Sequence, residues 1–399
     1  MGLASIRNTV GVRHLLEVRQ ASILRTNQIF REKLESVKVP QTEPLSQADA
    51  ESVFADLHAE SEAYYDGEGG WESLAEMGHT EYSDADTPCF RGTARRVLAY
   101  LAAYETTEVA IYKVRAEEGL AFLLANQSAD GRFDTQGTAG EVARGRSDRG
   151  DAYPTALAGR ALVEGYDKLG DTAYLAASQS AGNWEISGAI HQDETNPLES
   201  LASFKNANHV GFIIWHLAAH HKVQSNATFL ERALWGARQL LQWQIKDGGE
   251  SDGTWYWYEG SEEKKLVYHS ITLRGLLEVY SALEAKGSNA DDKVEIETAI
   301  FRALNYLIRW QMDDGYLPWS ESYLLKWAAG PEVLSVAYNY FDGFIKEQLQ
   351  PLIFKLVSLH KQNYDAHGTS SSHWAGVCTG DTRHHLILNF GQYLKAFYC

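Results

Sequence analysis

Three segments of the chain end alike: FLLANQSADGRF at 122–133, LLQWQIKDGGESDGTW at 240–255 and YLIRWQMDDGYLPW at 306–319. Each has a leucine-rich end, a glutamine, then Asp-Gly and an aromatic. Asp-Gly supplies a turn, and the aromatic can pack back on the helix before it. One supersecondary unit that recurs in this way predicts stacked helical hairpins. Hairpins closed on themselves make an (α/α) toroid; left open, they make a solenoid. The long polar and aromatic loops favour the toroid, whose inner helices surround a cleft. The expectation is an all-α chain built as an (α/α) barrel, its ring complete or incomplete.

Apolar spacing supports helices nearly throughout. In 228–246, Leu230, Ala233, Leu234, Ala237, Leu241 and Ile245 share one face, and Thr228 with Glu231 reads as a capping box. In 151–169 the stripe runs from Leu157 to Leu169. Pro154 there suits a first helical position, and Gly170 a stop. Similar stripes cover 93–105, 112–126, 210–222, 268–284, 294–311 and 343–361, and long alternating stretches are missing. Residues 1–50 read as a peripheral segment and linker, residues 51–399 as one toroid domain. The Gly- and aromatic-rich stretch 64–88, which carries Trp71, reads as a lid or binding loop. Residues 366–385 read as a second long irregular stretch.

The chain has 399 residues, 44% of them hydrophobic, which is enough for a large core. Its net charge of −17 disfavours nucleic acid, which needs a basic surface. No apolar run reaches membrane-spanning length. The N-terminus lacks an apolar signal-peptide core, so a cytoplasmic location is expected unless a leader was removed. Cys89, Cys378 and Cys399 are far apart, and no disulfide framework or paired zinc motif is legible. The ligand types His373, Cys378, Asp381, His384 and His385 follow no metal spacing.

The chemistry-bearing residues are NANH at 206–209 and VYHSIT at 267–272. Each opens a helix, and one further helix lies between them. Helices two apart in an up-down chain are parallel, so both N-termini should share one rim of the ring. Helix N-termini present free N–H groups and suit an anion. The connecting loop holds Trp255, Trp257 and Tyr258, then Lys264 and Lys265 just before Tyr268 and His269. Aromatic faces and cations together suit sugars bearing carboxylates. The plainer readings are a capped helix start at Asn206, Asn208 and His209, and aromatic packing at Tyr268, His269 and the tryptophans. His216, His220 and His221 lie on the helix itself and read as surface or core.

From about 150 to 285 the chain resembles the toroidal alginate lyases of polysaccharide lyase family five and the related glucuronan lyases. LVEGYDKLGDTAYLAASQSAGNW at 162–184 is similar to their helix–Gly-Asp–helix–Trp segment, NANH to their Asn-Asn-His, and SDGTW…KKLVYH at 251–269 to their basic stretch and Tyr-His. The resemblance implies that Asn208 and His209 contact the substrate carboxylate and that Tyr268 transfers protons. Where the family has an arginine, this chain has SEEKK at 261–265. Lys264 or Lys265 must then substitute, or Arg274 reach in. Asn206 is displaced by one residue from the family's first asparagine.

The implied reaction is β-elimination on a mannuronate- or glucuronate-type polysaccharide. The proton at C5 of a uronate leaves only if the adjacent carboxylate is neutralised, as in an oxyanion hole. A phenol beside cations can take that proton and return it to the leaving oxygen. No metal or other cofactor is required. Two other readings stand beside it: an isoprenoid cyclase-like toroid, with an apolar cavity and an aspartate acid such as Asp86, and a non-catalytic carbohydrate-binding scaffold.

Overall fold

The computed structural model describes residues 44–71, 89–133, 147–188, 196–286, 290–310, 330–341, 344–369 and 379–399. Thirteen helices lie within them: α1 (Gln47–Glu62), α2 (Phe90–Thr107), α3 (Ala110–Ala125), α4 (Ser147–Leu169), α5 (Thr172–Ser187), α6 (Pro197–Ser203), α7 (Ala207–Gln224), α8 (Ala227–Trp243), α9 (Leu266–Lys286), α10 (Ala290–Arg309), α11 (Gly330–Tyr340), α12 (Phe344–His367) and α13 (Thr379–Tyr398). Six of them, α2, α4, α7, α9, α11 and α13, pack in that order, and α13 returns to α2. The ring is closed. Outside it, α1 packs on α13, α3 on α2, α5 on α4, α8 on α7, α10 on α9 and α12 on α11. Outer and inner helices alternate along the chain, so the inner six run parallel.

Burial follows from this arrangement. The outer helix α8 buries one face, through Phe229, Ala233, Leu234, Ala237, Leu240 and Leu241. The inner helix α7 is buried on all sides from Val210 to His221, as a helix enclosed by others must be. Val267, Leu273 and Leu276 of α9 join the same continuous core.

The repeated loops are the stitches of the outer layer. The Gln127 side-chain amide donates to Gly131 O (2.8 Å) in its own loop and to Ala177 O (2.9 Å) on the next outer helix, α5. Gln244 does the same with Gly253 O (3.0 Å) and Ala299 O (2.9 Å) on α10. Gly131 and Gly253 have φ near +98° and +99°, a region only glycine enters freely. A Cβ on either would run into a carbonyl of the next outer helix, that of Ser180 or Arg302. The third copy falls, from Gln311 on, outside the described residues. A unit not expected from sequence sits at Gly69 and Trp71: Gly69 has φ +100° and faces the Glu118 carbonyl. Trp71 N donates to Thr93 Oγ1 (3.3 Å) as Phe133 N donates to Thr155 Oγ1 (2.9 Å). The ring joins α12 to α1 through Glu60, which accepts from Tyr364 (2.8 Å) and Thr369 (3.0 Å).

Several local expectations are corrected. The α8 cap is Asn226, whose Oδ1 accepts from Phe229 N (3.1 Å), not Thr228. The helix expected to open at Pro154 opens at Ser147 and carries the proline inside it. Residues 379–385, expected to be irregular, begin α13. Gly170, with φ +79°, stops α4 as expected.

A buried polar chain ties α5 to α7. Glu185 lies 3.0 Å from His216 Nδ1; His216 Nε2 and His220 Nδ1 each lie 2.9 Å from Ser178 Oγ; and His220 Nε2 lies 2.9 Å from Gln224 Oε1. One hydrogen arrangement satisfies it, with the Glu185 acid donating to His216 and each later group donating to the next. The Ser–His–Glu order is that of a hydrolase triad, but Ser178, Glu185, His216 and His220 are 0% exposed, so the chain is a strut. Burial pushes Glu185 well up. It pushes His216 and His269 down to about 3, and His209 and His220 to about 4.

Two predictions follow from this packing. Gly253→Ala is expected to cost on the order of 2–3 kcal/mol, read as a lowered thermal midpoint; an unchanged midpoint would contradict the stitch. The buried imidazoles have folded pKa values below their unfolded value of about 6.5. Their stability contribution is therefore complete above that value and is lost as pH falls towards 4. Glu185, raised on folding, works in the opposite sense and offsets part of the loss. Calorimetry across this window should show a falling midpoint, less steep in His220→Gln; a flat profile would mean the imidazoles are not held neutral.

Candidate functional site

The two rims of the ring differ. Inner helices connect to outer ones by tight turns, Glu108–Val109, Gly170–Asp171 and Ser225–Asn226. The return connection 244–265, from α8 to α9, runs to the rim of the inner helices' N-termini and touches the start of α7 through Glu259. That rim is the mouth.

The inner helices also line an axial lumen, and a seven-residue step reads out which residues face it, because seven residues make nearly two turns. On α4 the row is Tyr153, Arg160, Asp167; on α7, Asn208, Trp215, Lys222; on α2, Arg91 and Leu98; on α9, Val267 and Arg274. The second and third members of these rows line a cavity of about 270 Å3 bounded by all six inner helices. The first members therefore stand one step above it, at the mouth.

Asn208 is 4% exposed, and its Oδ1 has no hydrogen-bond partner. His209 turns towards α4, where its ring stacks on Tyr153 (5.8 Å, 24°). Its sealed Nδ1 also lacks a partner, and burial keeps the imidazole neutral at pH 7. Tyr153 packs on Phe212 (4.5 Å) and accepts from Arg95 (3.1 Å), with Arg91 5.8 Å from its ring. On the other side, α7 and α9 touch backbone to backbone: a Cβ on Gly211 would meet Thr272, and one on Gly275 would meet the Gly211 carbonyl. Asn208 and Tyr268 thus occupy adjoining first turns. Tyr268 is half-buried against Trp257 (5.4 Å), and Lys265 Nζ lies 3.6 Å from the Trp257 ring and 5.3 Å from that of Tyr268. The loop that carries Trp257 crosses to the start of α7, where Glu259 N donates to Phe204 O (3.0 Å) and Lys205 pairs with Glu259 (2.6 Å). Tyr258 is 46% exposed on it, and Lys264 lies 5.9 Å from the Tyr256 ring.

Other expected site residues have different duties. Asn206 caps α7, its Oδ1 accepting from His209 N (3.4 Å). Trp71, Trp255 and His269 are buried. Trp71 and Trp255 are the aromatics that follow the stitching glycines, and Trp255 Nε1 donates to Leu240 O (2.8 Å). His269 spends both ring nitrogens on Thr254 (3.1 Å) and Ala303 O (2.9 Å). Arg274 pairs with Glu332 and lies 4.6 Å from the Trp215 ring; of the expected residues it alone lines the lumen cavity. Sequence reading missed Tyr153, Arg95, Arg160, Trp215 and Glu332. The seven-residue step from Asn208 would have found Trp215.

The lumen is charged throughout. Arg160 pairs with Glu164 (2.7 Å), Lys222 with Glu278 (2.8 Å), and Tyr340 donates to Glu278 (2.8 Å). Burial alone would raise the Glu164 and Glu278 carboxyls. The Arg160 guanidinium with Lys395 at Glu164, and Lys222 with Arg160 at Glu278, outweigh it and hold both below the ordinary carboxylate range.

No protein-family model and no curated protein matches this chain. Solved structures do match. A possible member of the GH105 family from Salmonella enterica serovar Paratyphi A is 12% identical, with 91% of this chain and 99% of that one aligned at a TM-score of 0.62. Unsaturated glucuronyl hydrolase from Streptococcus agalactiae is 11% identical over 90% and 93%, TM-score 0.56. Cellobiose 2-epimerase from Bacillus thermoamylovorans is 14% identical over 92% and 99%, TM-score 0.55. At these identities the likeness is one of fold: this chain has the closed (α/α) toroid that those enzymes share.

Proposed function

We propose that the chain is a carbohydrate-active enzyme that cleaves a uronate-containing polysaccharide, of mannuronate or glucuronate type, by β-elimination at the mouth. The observation that carries this reading is the pair of sealed, unpartnered polar atoms on Asn208 and His209. Each costs about 1–3 kcal/mol, and the fold does not repay it. A bound sugar acid would, with a ring hydroxyl donating to Asn208 Oδ1 and the His209 Nδ1–H donating to its carboxylate. Those bonds withdraw charge from the carboxylate and stabilise the enolate-like intermediate. Tyr268 lies on the adjoining first turn. Its phenolate oxygen takes the C5 proton, the electron pair forms the C4–C5 double bond, and the C4 oxygen leaves with a proton from the phenol. Lys265 would stabilise the negative charge that develops on that oxygen, in place of the arginine of the lyases this chain resembles.

Among the described residues, the lumen carboxylates favour elimination over hydrolysis. A glycosidase needs a carboxylic acid with a raised pKa, whereas Glu164 and Glu278 are held ionised and Glu332 is paired with Arg274. The same charges disfavour an isoprenoid cyclase, whose cavity must be apolar. An acidic-sugar substrate is also in keeping with the solved complex of the Streptococcus agalactiae hydrolase with dGlcA-GalNAc6S.

A panel of mannuronan, glucuronan and guluronan tests the class: an ultraviolet-absorbing unsaturated uronide is expected from at least one. Tyr268→Phe should lower turnover by roughly 10²–10⁴-fold with an unchanged thermal midpoint; retention of most activity would remove Tyr268 from the role given to it. Asn208→Leu should abolish activity while leaving stability equal or higher, because it deletes an unsatisfied buried amide. A large loss of stability would instead identify Asn208 as structural.

A further inference from the structure

Behind the mouth, the lumen does not end at the 270 Å3 cavity. A second space of about 570 Å3 shares Arg160, Glu164, Asp167, Lys222 and Glu278 with it and continues between α4 and α7, past Tyr166, Gly170 and Val223. Gly170 belongs to a tight turn, so this space opens at the rim opposite the mouth. The mouth residues Asn208, His209 and Tyr268 line neither space. The elimination chemistry therefore leaves this volume without an assigned role.

Its chemistry is specific. Among the described residues, every charged side chain that lines the inner cavity is already matched by an opposite charge. Arg160 and Lys395 meet Glu164 (2.7 and 3.2 Å), Lys222 meets Glu278 (2.8 Å), Lys168 meets Asp167 (3.3 Å) and Arg274 meets Glu332. Lys168 and Lys395 also share Glu105, at 2.7 and 3.0 Å. An anion or cation entering here finds each opposite charge already balanced by a partner. An apolar guest would strip water from them and give nothing back. A guanidinium has five donors and a carboxylate about four acceptor sites, however, so paired groups keep spare hydrogen-bonding capacity. Asn339, Tyr340 and Gln392 add uncharged polar groups, and Trp215, Leu98 and Val336 add apolar wall. The guest that uses all of this is uncharged, carries donors and acceptors all round, and has apolar C–H faces. The cavity is near the lower limit of about 300 Å3 for small-molecule sites, which limits the guest to one ring.

We propose that the rear lumen is a binding site for an uncharged polyhydroxylated molecule the size of a single sugar ring, reached from the rim opposite the mouth between α4 and α7. Calorimetric titration of the full chain with neutral hexoses and myo-inositol, and separately with glucuronate, tests it. Saturable binding of at least one neutral probe is expected, with glucuronate at least about tenfold weaker. Val223→Trp, which narrows the rear opening, should abolish the binding, and Asn339→Leu, at an exposed position, should weaken it at an unchanged thermal midpoint. Tyr268→Phe should leave it intact, so a failure of the elimination reading would not touch this one. No heat from any neutral probe, tighter binding of glucuronate, or full binding in both Val223→Trp and Asn339→Leu would each overturn the proposal.

Discussion

The side-chain amide at the end of an outer helix is the contact on which the rest of the molecule depends. Gln127 and Gln244 each hold their own loop and the next outer helix with one NH2 group. The glycine that follows lets the loop lie against that helix backbone at a distance no side chain permits. α3 thereby fixes the position of α5, and α8 that of α10. The inner helices α7 and α9 approach backbone to backbone at Gly211 and Gly275.

Closing the ring creates an unusual interior. The six inner helices turn towards a shared axis, and the cavity there is lined largely by charged and polar side chains. Charges survive there because each has an opposite charge within reach, on its own helix for Arg160 with Glu164 and across helices for Lys222 with Glu278 and Lys395 with Glu164. The network of Arg160, Glu164, Lys222, Glu278 and Lys395 spans four inner helices. The mouth differs in kind: beside Arg91, Arg95 and Tyr153 of α2 and α4, it carries a phenol, an amide, an imidazole and an ammonium on two adjoining helix starts and one loop. Where the lumen is satisfied, the mouth is left wanting at Asn208 and His209.

Much of the architecture was legible because it is local. The Gln–Asp-Gly–aromatic repeat announced hairpins, and the alternation of helices put NANH and VYHSIT on one rim. What failed was the reading of aromatics and helix ends. Trp71 and Trp255 look like sugar platforms in a loop-rich sequence, yet each follows a positive-φ glycine by two residues and is thereby aimed at the core. Residues 379–385, TGDTRHH, open α13 without an apolar residue, so the stripe that usually betrays a helix is absent there. Arg160 gives no signal in the sequence because its place among Lys222, Glu278 and Lys395 depends on other helices that only the closed ring brings together.

The closed ring has one more consequence. In an open array the first and last units each lack a neighbour, and such arrays melt from their ends. Here Glu60 of α1 takes hydrogen bonds from Tyr364 and Thr369 at the far end of the chain, and α13 lies against α2. Every hairpin then has company on both flanks, and loosening must begin by breaking the circle somewhere in its middle. A chain that would otherwise unzip unit by unit is made to hold or fail as a whole.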